Sequence, residues 1–143
     1  MDGDAGQSMT RRTWPNGPHL LEFEPPDLFH CYVHGDVQVS EINAAIRVMR
    51  EEVIPNVPVI YFVVHQEMGV GALPKETRQH LRTVAVPARG TVVVGGMSAM
   101  MRMGLNVIAQ SIMAISRKKI LMKVVGTRQE ALACVAEWRS TSA

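Results

Sequence analysis

Residues 91–125, TVVVGGMSAMMRMGLNVIAQSIMAISRKKILMKVV, decide the fold of this chain. The β-branched run at Thr91–Val94 ends in a Gly-Gly pair, a pattern typical of a buried parallel strand that leads into a helix. A long apolar helix is predicted at Ser98–Ser116, and a basic turn after it leads to renewed strand character at residues 120–125. A strand, a helix and a strand in this order predict a βαβ unit with parallel strands.

The predicted helix at Ser98–Ser116 has more apolar side chains than a single sheet can cover. One apolar stripe is enough for a helix packed on a sheet, but this helix has apolar residues outside its stripe as well. We therefore expect it to contact a second copy of the protein or another protein, with a lipid or a small apolar ligand as the alternative. The predicted partner-binding residues are Met100, Met103, Val107 and Met113.

Length and composition limit the function classes. The 143 residues, 47% of them hydrophobic, suit one domain with a sizeable core. A formal net charge of +2 is too small for a nucleic-acid-binding domain, so we expect no nucleic-acid partner. Polar residues inside the long helix argue against a transmembrane segment. Cys31 and Cys134 lie among apolar residues, which predicts two buried, reduced thiols and a cytoplasmic location.

The remaining elements build one domain around the βαβ unit. Residues 1–18 are expected to be a flexible N-terminal tail, residues 19–139 an α/β domain, and residues 140–143 a C-terminal tail. The order of strands and helices predicts a single mixed, mostly parallel sheet of about five strands with helices packed on it.

The first half of the domain begins with an antiparallel hairpin. Its strands are predicted at His19–Phe23 and Leu28–His34, with two prolines between them. Ser40 is expected to cap the following helix, whose apolar residues follow helical spacing. The run Val59–Val64 lacks alternation, which predicts a central strand covered on both faces.

Two further helices are predicted. The first starts at Pro74 and runs to about Val84. The second starts at a T-x-x-E capping box formed by Thr127 and Glu130. Its inward-facing residues are expected to be Leu132, Val135 and Trp138.

Four segments carry a family resemblance. They are Phe29–Gly35, PKETR at Pro74–Arg78, TVVVGG at Thr91–Gly96 and TRQEALACVAEW at Thr127–Trp138. Together they resemble the STAS-like (SpoIIAA-like) domain family, the group linked to CRAL-TRIO lipid-transfer domains. The resemblance implies a non-enzymatic module that regulates by protein interaction, while the CRAL-TRIO link implies lipid or small-molecule binding as the alternative. In STAS antagonists a hydroxyl after the central strand is phosphorylated, and this chain has no hydroxyl from His65 until Thr77.

A second candidate site lies at the carboxyl ends of the predicted parallel strands. Open α/β sheets bind ligands at this edge. The residues predicted to lie there are His65 and Glu67 after the central strand, and Gly95 and Gly96 after the next one. They define a possible ligand edge for a small molecule.

We expect no metal, no cofactor and no catalytic residues. His30 and His34 would lie about 13 Å apart along one strand, too far for one ion. At most His34, His65 and Glu67 could then serve as ligands, and their spacing is not that of a compact metal site. The chain also lacks a G-x-G-x-x-G, a G-x-S-x-G and a Cys with a neighbouring base.

Overall fold

A computed structural model describes residues 9–66, 74–81, 83–95 and 121–141. Within these ranges, six strands form one sheet in the order β1-β2-β3-β4-β5-β6. The strands are β1 Arg12–Asn16, β2 His19–Glu24, β3 Leu28–Val33, β4 Tyr61–Gln66, β5 Gly90–Gly95 and β6 Leu121–Val125. The helices in the same ranges are α1 Val39–Val48, extended by a π-helical segment Met49–Val53, then α2 Lys75–Leu81 and α3 Arg128–Ser140.

The sheet is mixed, as the sequence predicts. Strands β1, β2 and β3 pair in antiparallel fashion, whereas β3 to β6 pair in parallel. Val94 on β5 lies opposite Val125 on β6, which confirms that the two strands of the opening segment are parallel. The helix predicted between them, with Met100, Met103, Val107 and Met113, lies outside the described residues.

Strand β1 corrects the prediction of a flexible tail at residues 12–16, which form part of the predicted tail at residues 1–18. Trp14 on this strand lies opposite Leu21 on β2, and Arg12 stacks 4.9 Å above the Trp14 ring. Pro15 obscured the strand in the sequence, although an edge strand tolerates a residue without an N–H. Gly17, at a φ of +60°, makes the turn into β2. The sheet therefore has six strands instead of about five.

Helices cover both faces of the sheet. On one face, side chains of β2 and β3 pack against α1 and its π-helical extension. This first core contains Leu21, Phe23, Phe29, Cys31, Val33, Ala45, Met49, Val53 and Ile60. On the other face, side chains of the parallel strands pack against α3. This second core contains Leu28, Tyr61, Val63, Val92, Val94, Val125, Ala131, Cys134 and Val135.

The start of α1 differs from the prediction. Its N-cap is Gln38 and not Ser40, which lies within the first turn. The backbone N–H of Gln38 donates to Oε1 of Glu41 at 2.8 Å, which is the reciprocal bond of a capping box. His19 holds the same carboxylate oxygen at 3.0 Å, so a contact from outside the helix fixes where the helix begins. The contact between His19 and Glu41 cannot be predicted from the spacing of residues along the helix.

Helix α3 begins where the sequence predicts. The backbone N–H of Glu130 donates to Oγ1 of Thr127 at 3.1 Å. Val135 is fully buried and Trp138 packs partly against the second core, as expected, but Leu132 is 40% exposed. The buried residues are Ala131, Cys134 and Val135. Leu132 is therefore not part of the buried stripe of α3, and the prediction that it faces inward was wrong.

Both thiols are free and buried, as predicted for Cys31 and Cys134. Among the helices of the described ranges, none is sufficiently long and apolar to span a membrane.

Candidate functional site

A cluster of polar side chains lies on the sheet face that also carries α3. It draws residues from three neighbouring strands, because Glu22 on β2 lies opposite His30 on β3, and Tyr32 on β3 lies opposite His65 on β4. Side chains two residues apart on a strand point to the same face. The members of this polar cluster are Glu22, Glu24, His30, Tyr32, His65 and the first residue of α3, Arg128.

Three of these side chains form a continuous hydrogen-bonded chain. Oε1 of Glu24 lies 2.7 Å from Nε2 of His30, and Nδ1 of His30 lies 2.8 Å from Nε2 of His65. His30 is completely buried, whereas His65 is half-buried. The chain therefore connects a carboxylate, through a buried imidazole, to an imidazole at the margin of the core.

The order of partners fixes the proton positions. An ionised carboxylate can only accept, so Nε2 of His30 must carry the proton that it donates to Glu24. A neutral imidazole has one N–H, and Nδ1 of His30 is then an acceptor. Nε2 of His65 must donate to it. Nδ1 of His65 is left with a lone pair and no proton, and no described residue makes a hydrogen bond to this atom.

The electrostatics agree with neutral rings. Burial, with added contributions from His30 and Arg128, lowers the pKa of His65 to about 4. Burial also lowers the pKa of His30, although its hydrogen bond with Glu24 opposes that effect. Burial tends to raise the pKa of Glu24, but the hydrogen bond from His30 and the charges of Arg11 and Arg128 outweigh that effect, and the pKa is lowered. At neutral pH, Glu24 is charged and both imidazoles are neutral.

Tyr32 holds the half-buried His65 end of the hydrogen-bonded chain in place. Its ring stacks on His65, with centroids 4.5 Å apart and planes inclined by 12°. Its hydroxyl donates to Oε1 of Glu22 at 2.9 Å. Burial and this bond raise the pKa of Tyr32, so the phenol stays protonated. The stacking and the hydrogen bond together hold the His65 ring in one orientation.

Two arginines balance the two carboxylates. Arg128 lies 3.4 Å from Glu24, and Arg11 lies 3.4 Å from both Glu22 and Glu24. Half or more of each arginine side chain is exposed to solvent. The polar cluster thus has a charge-balanced interior and cationic groups at its surface.

Part of the predicted ligand edge lies beside this cluster. His65 and Gly95 occur at the carboxyl ends of neighbouring parallel strands, as expected. Glu67 and Gly96, the other two predicted residues, lie outside the described residues. His65, the half-buried member of the hydrogen-bonded chain, therefore lies at the edge that the sequence predicts for a ligand.

His30 and Glu24, the two residues behind His65, are not among the site residues that the sequence predicts. The sequence groups His65 with His34, but the structure pairs His65 with His30, while the His34 side chain is exposed. The available signals were the alternations E-x-E at Glu22–Glu24 and H-x-Y at His30–Tyr32, which each place two polar side chains on one face. Across residues 9–66, 74–81, 83–95 and 121–141, no three His, Cys, Asp or Glu side chains converge as metal ligands would.

Other polar contacts have structural roles. Nε2 of His19 bonds to Glu41 at 3.0 Å, while its Nδ1 accepts from the His34 backbone N–H at 3.0 Å. Thr77, the first hydroxyl after His65, is 1% exposed and donates to the Val37 carbonyl at 2.6 Å. Both ring nitrogens of His19 are occupied, and the Thr77 hydroxyl is enclosed by the fold. Neither side chain is available to a ligand.

Comparison with known proteins adds no assignment, since the chain matches no protein-family model, no curated protein and no solved structure. The STAS-like resemblance therefore stays a prediction.

Proposed function

We propose that this domain binds a small oxyanion that carries a hydrogen-bond donor, at the edge of the sheet formed by His65. The observation that supports this function is the hydrogen-bonded chain Glu24–His30–His65, which leaves Nδ1 of His65 as an acceptor. Open α/β sheets bind ligands outside the carboxyl ends of their parallel strands, where His65 lies.

The charges of the polar cluster favour an anion with a donor. Arg128 at its surface is exposed and can bind a negative group. A ligand oxygen that still bears a proton can donate it to the unprotonated Nδ1 of His65. Because burial lowers the pKa of His30 and lowers the pKa of His65 to about 4, both rings are neutral at pH 7 and the acceptor is present there. Monohydrogen phosphate combines a negative charge and an O–H group.

Phosphate and sulfate provide a matched test of this function. The two anions have similar size and shape, but at neutral pH sulfate has no proton and can only accept. We expect phosphate to shift the ring signals of His65 in a ¹H–¹³C NMR titration, and sulfate to shift them far less. The Tyr32 ring, which stacks on residue 65, supplies the signal common to all variants. At this ring, His65→Gln should show no discrimination between the two anions, whereas His34→Gln, which alters an exposed histidine, should preserve it. Equal effects of both anions on the wild type would contradict the proposed function.

A self-associating, non-enzymatic interaction module remains the alternative. Its expected interface, Met100, Met103, Val107 and Met113, lies outside the described residues. Sedimentation of the wild type and of a Met103→Glu, Val107→Glu double variant tests it. A wild-type dimer that becomes a folded monomer in the variant would support the interface, and a monomeric wild type would exclude self-association.

A further inference from the structure

We propose that His65 is a phosphoryl-acceptor residue, modified at Nδ1 by a phosphoryl donor that contains a P–N bond. This inference rests on the oxyanion site proposed above and names a covalent event at that site. It follows from three features of the polar cluster: a nucleophilic nitrogen, a base behind it and a cation beside it.

The nucleophile is the unprotonated Nδ1 of His65. A histidine nitrogen attacks only through a free lone pair, and the hydrogen bond from Nε2 of His65 to His30 directs the ring proton away from Nδ1. Stacking on Tyr32 fixes the ring, which restricts the direction of the lone pair. His65 is half-buried and retains contact with solvent.

The base is His30, oriented by Glu24. A nucleophile, a base within hydrogen-bond reach and a third group that orients the base form the general arrangement for covalent catalysis. Here the distances are 2.8 Å between the two imidazoles and 2.7 Å between His30 and the carboxylate. His30 contacts Nε2 of His65. The proton on this nitrogen becomes more acidic once Nδ1 of His65 carries the phosphoryl group.

The cation is Arg128. It lies 3.4 Å from Glu24, and half of its side chain is exposed, so it can turn toward phosphoryl oxygens. The neighbouring Arg11 offsets the carboxylate charges that would repel an anion, since it bridges Glu22 and Glu24 at 3.4 Å.

The step balances with phosphoramidate as the donor. Nδ1 of His65 forms a bond to phosphorus, and the P–N bond of the zwitterionic donor breaks. Its electron pair leaves with nitrogen as neutral ammonia. The modified ring is then positively charged. Its Nε2 proton passes to Nδ1 of His30, and the Nε2 proton of His30 passes to Oε1 of Glu24.

Other histidines lack this arrangement. Both nitrogens of His19 are occupied by Glu41 and by a backbone N–H. The His80 ring bonds to Asn43 at 2.7 Å, and among the described residues no carboxylate or second imidazole bonds to this ring. His34 is exposed and has no described side-chain hydrogen bond, which makes it the matched control for intrinsic histidine reactivity.

Incubation of the full chain with phosphoramidate at neutral pH tests the proposal. We expect a single acid-labile phosphoryl group on Nδ1 of His65, identified by intact mass, ³¹P NMR and peptide mapping. His65→Gln should lose this label and His34→Gln should retain it. His30→Gln should slow labelling by about a hundredfold, because the general base is removed. Arg128→Gln, an exposed substitution outside the hydrogen-bonded chain, should also slow labelling.

Labelling of His34 as fast as His65 in the wild type would overturn the proposal. So would labelling of His65 at an unchanged rate in Arg128→Gln and in Glu24→Gln. Phosphate-specific binding without any covalent label would refute the acceptor role and leave the proposed function standing. Specific labelling of His65 without discrimination between phosphate and sulfate would support the acceptor role and contradict the proposed function.

Discussion

Nε2 of His65 lies 2.8 Å from Nδ1 of His30, although the two residues are 35 positions apart in the chain. This contact joins two strands whose parallel register places Tyr32 opposite His65. It connects a buried carboxylate-bound imidazole to a residue at the sheet edge. The proton arrangement, and both functional proposals, depend on it.

Removal of His30 should destabilise the fold. His30→Leu leaves the Glu24 carboxylate and the Nε2 proton of His65 without their partner. Because His30 is completely buried, we expect a loss of about 2–3 kcal/mol in the free energy of unfolding. Urea denaturation of the wild type and of His30→Leu measures this loss in the free energy of unfolding. His34→Leu, at an exposed histidine just after the same strand, should change stability by about 0.5 kcal/mol or less. Equal losses in the two variants would contradict the role of the buried bonds.

Stability should decrease between pH 6.5 and pH 4. The pKa of His65 is about 4 in the folded protein, below the 6.5 of an unperturbed imidazole. The unfolded chain therefore binds more protons in this range, so the contribution from neutral His65 is full above pH 6.5 and is lost as the pH falls toward 4. The groups that face or surround this ring are Glu22, Glu24, His30, Tyr32, Arg11 and Arg128.

The comparison that isolates His65 uses chemical denaturation at a series of pH values. His65→Gln should flatten the slope between pH 6.5 and pH 4, and a smaller slope should remain because the pKa of His30 is also lowered. His34→Gln should keep the wild-type slope. A wild-type slope in the His65→Gln protein would show that His65 titrates alike in the folded and unfolded states.

Much of this sheet could be predicted from sequence, because local patterns report local structure. The β-branched run at Thr91–Val94 and the capping box at Thr127 specify elements from neighbouring residues alone. Strand β1 is not predicted, because a proline such as Pro15 is typical of a loop. Its pairing with β2 at the edge of the sheet outweighs this local preference. Ser40 was a plausible cap, but the contact of His19 with Glu41 selects Gln38.

The site was less predictable, since it depends on register between strands. A shift of two residues between β3 and β4 would bring His65 beside a different side chain on the same face. Patterns within one strand do not encode that register. His65 could be selected by its position at a strand end, whereas His30 and Glu24 acquire their roles only through pairing.

Both cysteines should react slowly with a thiol reagent in the native state. Burial, with a contribution from Glu41, raises the pKa of Cys31 to about 12, so almost no thiolate is present at pH 8. Burial also raises the pKa of Cys134, but Lys123 opposes the shift. We expect Cys134 to react first. Labelling with 5,5′-dithiobis(2-nitrobenzoate), in the wild type and in Cys134→Ala, measures the order, and faster reaction of Cys31 would contradict the described packing.

Gly90 should not tolerate a side chain while Trp138 is present. A Cβ atom at Gly90 would lie 2.6 Å from the Trp138 ring, closer than packed atoms allow. Gly90→Ala should therefore cost about 1–3 kcal/mol of stability. In a Trp138→Leu background the same change should cost at least about 0.5 kcal/mol less, which a double-mutant cycle measures. Additive effects would show that α3 does not pack on β5 at this position.

The position of the ring proton on His65 decides whether the hydrogen-bonded chain Glu24–His30–His65 is arranged as described. Long-range ¹H–¹⁵N NMR of the full chain at pH 7 distinguishes protonated from unprotonated imidazole nitrogens. The hydrogen-bonded chain predicts that Nδ1 of His65 is unprotonated and that Nε2 carries the proton, with Nε2 protonated in His30 as well. A proton on Nδ1 of His65, or on both of its nitrogens, would contradict this arrangement and remove the acceptor on which the proposed site depends.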